Sequence, residues 1–375
     1  MHQLFFTLLL IFLPTQLGYH FWPSWAMVLG RRVDFLSPTL YLTDIFIFLI
    51  LIFWRPKKIF GQRPISLWLT IPALAVTNIL FAGNKLVSLY FWLKVVEYSF
   101  LGFYIIQTKP IFSKTILYLS IGIFYSSLIA IGQFLLQRSI GGPLWLLGER
   151  TFTNQTPGIA QFFVNGLRLR TYATFPHPNV LGGFLAVLLP LVIFHIKDKK
   201  QIFYIVTTVL GIVALVLTFS RSAWIGLLLG IILLTRKKVF FIPLLAVSTI
   251  VIFFISKTFG IQDESVVVRQ QLNTSAVAMF KESPVFGKGL GNFLVELPAH
   301  LPSRQIYFLQ PVHNIYLLVL AETGLIGLAA FLWLLWKRRS RWIIVVLLLG
   351  FADHYFLTLQ QGQLLLTILL SLTFV

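Results

Sequence analysis

Cysteine is absent from the 375-residue chain, which excludes disulfides and any thiolate metal site. Acidic side chains are scarce: 11 Asp and Glu stand against 30 Lys and Arg, a formal net charge of +19. Charged residues of either sign amount to 11% of the chain, while 58% is hydrophobic. The sequence has no HExxH and no Cys/His cluster that would suggest zinc. PVFGKGLGNF is not a Walker motif, because no Ser or Thr follows Lys288 at the required place. No low-complexity linker, long disordered tail or convincing internal repeat stands out.

What is present is apolar. With a mean hydropathy of +0.87 and runs that match the roughly 20 residues a bilayer core needs, the chain reads as an all-α polytopic membrane protein. Run length gives about twelve transmembrane helices, near 4–19, 39–54, 65–82, 86–106, 115–136, 178–196, 202–219, 222–235, 239–256, 314–336, 342–359 and 363–375. The Met-His-Gln start lacks a basic n-region and a small-residue cleavage site, so the first run reads as a retained span.

The excess of Lys and Arg does not argue for nucleic acid, because it falls in short loops. Arg55, Lys57, Lys58 and Arg63, then Lys109 and Lys114, then Lys197, Lys199 and Lys200, then Arg236, Lys237 and Lys238, then Lys337, Arg338, Arg339 and Arg341 all follow even-numbered spans. With both termini cytoplasmic, all five clusters are cytoplasmic; Arg31 and Arg32 are the exception, on the outer side. The expected organisation is transmembrane helices 1–5 over 1–136, an outer loop over 137–177, helices 6–9 over 178–256, a large outer loop with a helix over 257–313, and helices 10–12 over 314–375. Asn165-Gly166 between apolar stretches predicts a two-residue β-hairpin loop in the first outer segment.

The stretch QPVHNIYLLVLAETGLIG, from Gln310 to Gly327, sets a polar pair, His313-Asn314, at the mouth of an apolar helix. Imidazole titrates near neutrality and at such a mouth can meet both water and lipid. Two carboxylates are candidates to orient it: Glu322, roughly 12 Å along the helix from Asn314, and Asp353 in Asp353-His354. Arg221, between Ser220 and Ser222 in LTFSRSAW, is either an interfacial anchor or a guanidinium for bidentate phosphate binding. Arg269 falls on a predicted outer helix. Arg168 and Arg170 flank Leu169, on one face of a strand. His177 lies between two prolines in PHPN, before Asn179. Gly287, Gly289 and Gly291 form either an anion-binding nest or a plain turn, and the turn is favoured. Lys94 and Glu97, three apart, are placed to pair within the membrane. The outer cations outnumber the outer carboxylates (Glu149, Asp263, Glu264, Glu282 and Glu296), which favours an anionic substrate whose charge arginines offset.

RTYATFPHPNVLGGFLAVLLP, LTFSRSAWIGL, SVVVRQ, ESPVFGKGLGNF, VHNIYLLVLAETGLIGL and DHYFLTLQQGQLL follow one another along the chain. In that order, on a chain with many spans, they resemble the O-antigen ligase and polymerase-like superfamily of bacterial polytopic enzymes. The resemblance covers roughly residues 148 to 375, and the N-terminal third is similar only in being hydrophobic. It implies a glycosyltransferase of the membrane-embedded GT-C type in the bacterial plasma membrane, its active site on the extracytoplasmic side. Such an enzyme moves a glycan from undecaprenyl pyrophosphate to a glycolipid or other acceptor, inverting the anomeric centre, with no cofactor and no metal. By resemblance, Arg221 and Arg269 would hold the donor pyrophosphate and His313 would orient or deprotonate the acceptor hydroxyl. Arg168, Arg170, His177, Asn179, Asn314, Glu322 and Asp353 complete the candidate substrate-binding set. Two other readings stay open: a polysaccharide polymerase of the same superfamily, and a transporter or flippase of lipid-linked glycans.

Overall fold

The computed structural model describes residues 1–56, 65–163, 166–196, 200–235, 264–301, 309–338 and 340–372. The expected span 239–256, Asn165, Asp263, and the loop residues Lys57, Lys58, Arg63, Lys197, Lys199, Arg236, Lys237, Lys238 and Arg339 lie outside the described residues. Helices dominate, as the apolar runs dictate. In chain order they are α1 His2–Ile11, α2 Leu42–Phe53, α3 Ile65–Leu80, α4 Lys85–Thr108, α5 Phe112–Leu136, α6 Pro178–Phe194, α7 Gln201–Leu217 and α8 Arg221–Thr235. They continue as α9 Glu264–Glu282, α10 Phe293–His300, α11 Ile315–Lys337, α12 Arg341–Gly350, α13 Tyr355–Thr358 and α14 Gln360–Leu372.

Among the described residues, α4, α5 and α11 are long and apolar enough to cross a membrane, and six shorter helices are apolar as well. The chain is a membrane protein. Two of the expected runs are interrupted among the described residues. The run 4–19 is a ten-residue helix that gives way to a strand, β1 Gly18–His20. The run 342–359 is cut after Gly350, and the polar pair Asp353-His354 stands in the gap before α13.

α6 holds the centre: Pro178 and every residue from Val180 to Val192 is buried. It packs against α7 and α8, and α5 packs against α7. Gly182 brings α6 and α8 close, since a Cβ there would lie 2.9 Å from that of Ala223. α7 is two-faced. Ile202, Val206, Val209, Val213 and Val216 point outward, while Thr207, Gly211 and Ala214 are buried. Small residues inward and branched apolar residues outward suit a helix with lipid on one side and helices on the other.

Among the described residues, three small antiparallel ribbons decorate the helices. β1 pairs with β4 (Thr39–Tyr41), β2 (Met27–Val28) with β3 (Arg31–Arg32), and β5 (Gln161–Phe163) with β6 (Leu167–Leu169). The last is the expected hairpin, and its register pairs Phe163 with Leu167. Gly166 has φ +118°, and Asn165 of the expected two-residue loop lies outside the described residues.

α11 is not continuous. Gly324 has φ +66° and ψ −165°, which interrupts the helical ladder. The glycine turn at 287–291 occupies the gap: Lys288 N–H donates to Ala321 O and Gly289 N–H to Glu322 O, both at 2.9 Å. Leu325 N–H donates to Pro284 O at 2.9 Å. Unsatisfied backbone groups in an apolar surround cost several kcal/mol each, so the turn completes the break rather than binding an anion. Asn78 of α3 ties the assembly together. Its Nδ2 donates to Phe286 O and Glu322 O, and its Oδ1 accepts from Trp92 Nε1 and Leu290 N–H.

Candidate functional site

His313 stands one residue before Asn314, which caps α11 by accepting from Tyr316 N–H at 2.9 Å and Leu317 N–H at 3.1 Å. That use of the Asn314 side-chain oxygen starts the helix at Ile315 and leaves His313 in the bend before it. The carboxylate facing the imidazole is Asp353: its Oδ1 lies 3.4 Å from His313 Nδ1. Nδ1 itself is closed off from solvent and has no hydrogen-bond partner within normal geometry. The other ring nitrogen, Nε2, lies 3.2 Å from Gln310 Oε1. Glu322 is elsewhere. It is buried at the break in α11, where its Oε1 accepts from Phe293 N–H at the start of α10. It serves the backbone there rather than the imidazole.

Asp353 is itself held from two sides. Oδ1 accepts from His354 N–H at 2.9 Å, and Oδ2 accepts from Asn179 Nδ2 at 3.1 Å. Asn179 in turn accepts from Arg170 Nη2 at 2.7 Å, and Arg170 Nε donates to Thr218 O at 2.7 Å. A chain of hydrogen bonds therefore runs from Arg170 through Asn179 to Asp353, whose other oxygen faces His313. His177 caps α6 by accepting Asn179 N–H on its Nδ1 at 3.2 Å. Burial, reinforced by the Arg170 charge, holds its imidazole down at about 3, so it is neutral near pH 7.

Arg221 opens α8 and is exposed, and Arg269 is half-buried on α9. Both lie within electrostatic reach of Arg170, and Arg269 also of His354. Burial lowers the Arg170 guanidinium to about 10, and the charges of Arg221 and Arg269 press the same way. Arg170 thus has two further guanidiniums near it, and through Asn179 it reaches Asp353. Arg168 does not join them. It points to solvent on β6 while Leu169 is buried, so the shared face expected for Arg168 and Arg170 leads to different surroundings.

A cavity of about 1620 Å³ adjoins the group. His313, Asp353, His354 and His177 line it, whereas Arg170, Arg221 and Arg269 do not. His354 is a neighbour that sequence reasoning did not single out. Its ring lies 5.0 Å from that of His313, and its Nδ1 bonds to Thr358 Oγ1 at 2.6 Å. The ligating atoms of His313, Asp353 and His354 all fall within 4.8 Å of one another. Two imidazoles and a carboxylate can share a proton or hold a divalent cation. The only signal for His354 in the sequence was its adjacency to Asp353.

Inside the helices, Lys94 bridges Glu97 as expected and also Asp44, at 2.7 and 2.8 Å. Gln360 donates to Asp44 and accepts from Tyr98 OH. This network fastens α2, α4 and α14 together, with Lys94 and Gln360 on the cavity wall.

Residues 206–332 match the model of the O-antigen ligase family. The stretch runs from α7 into α11 and contains Arg221, Arg269 and His313, while Arg170, His177 and Asp353 lie outside it. The match supports the resemblance to the O-antigen ligase-like superfamily. With it comes a general activity, glycan transfer or ligation, and general partners, a lipid-linked glycan and an acceptor. No curated protein matches the chain.

Proposed function

We propose, from the O-antigen ligase character of residues 206–332, that the protein transfers a glycan from undecaprenyl pyrophosphate to an acceptor hydroxyl. The reaction takes place on the outer face of the bacterial plasma membrane. The observation that carries the mechanism is the pairing of His313 Nδ1 with Asp353 Oδ1 at 3.4 Å. Because Nδ1 is sealed against this carboxylate, Nε2 is the nitrogen that meets a substrate entering the cavity. The Asp353 charge favours the tautomer with its proton on Nδ1 and stabilises the imidazolium that forms.

The acceptor hydroxyl displaces the Gln310 amide from Nε2. Its oxygen attacks the anomeric carbon from the side opposite the pyrophosphate, and its proton passes to Nε2. The bond from the anomeric carbon to the pyrophosphate oxygen breaks, the configuration inverts, and the pyrophosphate leaves with the bonding pair. Arg221 and Arg269 offset the charge growing on that leaving group, in place of a metal. Arg170, Asn179 and Asp353 position the base. Around this centre about twelve spans form a GT-C-like bundle in the membrane.

The test is transfer in detergent by purified protein, with an undecaprenyl-pyrophosphate glycan as donor and a glycolipid as acceptor. A single extended product marks a ligase, and a ladder of lengths marks the polymerase of the same superfamily. His313→Ala removes the base and lowers turnover by about 10²–10⁴-fold. Movement of the donor across a liposome membrane with no product formed would overturn the proposal in favour of a transporter.

A further inference from the structure

Three arginines on the cavity wall have no part in the mechanism above: Arg31, Arg32 and Arg150. Each is exposed, and none forms an ion pair with a carboxylate among the described residues. The acidic side chains sharing the wall do not cancel them. Asp353 is committed to His313, and Glu149 accepts from Gln133 Nε2 and from the N–H groups of Ile140 and Gly141, each at 2.8 Å. Only exposed Asp34 remains against three guanidiniums. The other lining cation, Lys94, is already neutralised by Asp44 and Glu97.

The three are also held in place. Arg31 and Arg32 form one strand of a ribbon whose tight loop, Leu29-Gly30, has φ +50° and +74°. The Arg32 guanidinium lies over the Trp22 ring, 5.3 Å from its centroid. Arg150 Nη2 donates to Pro176 O at 3.0 Å, the carbonyl next to His177. Arg150 is thereby anchored to the segment that leads into α6, the helix that carries Asn179. A cavity of about 1620 Å³ exceeds the roughly 300–1,000 Å³ of a single small-molecule site, so it has room for a bulky acceptor.

We infer that Arg31, Arg32 and Arg150 form an anion subsite for the acceptor, and that the acceptor bears a phosphate or carboxylate beside the hydroxyl it offers. This rests on the glycan-transfer reading for the word acceptor, and on the cavity alone for the anion. Unpaired guanidiniums on a low-dielectric wall focus positive potential into the cavity, and their forked donors match both anions. Arg221 and Arg269 do not line the cavity, so the donor's pyrophosphate and the acceptor's anion meet separate cationic groups.

The experiment measures binding without turnover, so it stands whether or not transfer is detected. Octyl glucoside 6-phosphate, octyl glucuronide and uncharged octyl glucoside are titrated against the purified protein in nanodiscs at low salt. The phosphate probe is expected to bind at least tenfold tighter than the uncharged one, and the preference should shrink at 0.5 M salt. The glucuronide arm decides between the two anions. Arg31→Gln with Arg32→Gln should erase the preference, while Arg221→Gln with Arg269→Gln should leave it. If the double variant does not reach the membrane, Arg31→Gln and Arg32→Gln singly are each expected to lose at least threefold. Equal binding of charged and uncharged probes by the wild type would overturn the inference, and so would a preference that follows Arg221 and Arg269 instead.

Discussion

Asn179 donates to Asp353 across 3.1 Å and accepts from Arg170 at 2.7 Å through its other side-chain atom. One amide thus fixes the carboxylate that faces His313 and couples it to a buried cation. Asp353→Asn keeps the shape but removes the charge that stabilises an imidazolium, and should lower transfer by about 10²-fold or more. Asn179→Ala should cost about 10–100-fold, as loss of an orienting partner does in other sites. The measurement is initial rate at saturating donor, with membrane insertion checked by yield. An unaltered rate in Asp353→Asn would remove the carboxylate from the mechanism.

Arg221 and Arg269 make different demands from an isolated positive charge. If both grip a pyrophosphate through paired N–H groups, Arg221→Lys and Arg269→Lys should each lose about tenfold or more, and the alanine variants nearly all activity. Full activity in either lysine variant would show that charge alone suffices there.

His177 provides a pH test with a defined sign. In the unfolded chain its imidazole takes a proton below its ordinary value of about 6.5, whereas in the folded protein burial delays this to about 3. Between those two values the unfolded state binds more protons, so this group removes stability as pH falls. His177→Asn keeps an acceptor at the cap of α6 but does not titrate. Its thermal midpoint in detergent should fall less than that of the wild type between pH 6.5 and 4. Parallel curves would show that the imidazole is not the source.

Metal dependence separates two uses of His313, Asp353 and His354. If the imidazole works as a base, transfer survives dialysis against EDTA. Loss of activity restored by magnesium or zinc would make that group of donors a required metal site.

The break in α11 predicts intolerance at two glycines. A Cβ on Gly287 would lie 2.3 Å from the Glu322 carbonyl carbon, and one on Gly324 would lie 2.3 Å from Val285 O. Both also sit at positive φ. Gly287→Ala and Gly324→Ala should each destabilise the protein by about 1–3 kcal/mol or more, read as a lower thermal midpoint. Alanine at Gly166, where nothing lies within 4 Å, carries only the φ penalty and should do less.

The sequence made the helical, apolar character plain, because run length and composition report it directly. It also made His313, Arg221 and Arg269 visible, because charge beside an apolar run is conspicuous. Which carboxylate meets His313 was not legible, since that contact joins the loop before α11 to the gap after α12 and no local pattern encodes it. The break at Gly324 was hidden for a related reason. A glycine in an apolar run is common, and only the glycine turn docked against it makes the interruption affordable. The hairpin was legible because turn residues stand between two apolar stretches. Arg31 and Arg32 stood out as misfits to the charge rule, and their place on the cavity wall gives the misfit a reason.

Asn78 draws on a part of the chain that carries none of the recognisable motifs. Its contacts pin the break in α11, and hence the strut that presents His313, to the N-terminal helices. The family-matched stretch is therefore not a self-sufficient module. Grafted onto foreign N-terminal spans that do not supply this amide, it would be expected to insert yet misaim its imidazole. Divergence in that unremarkable third is a route by which relatives could retune the geometry of transfer without altering a single reacting side chain.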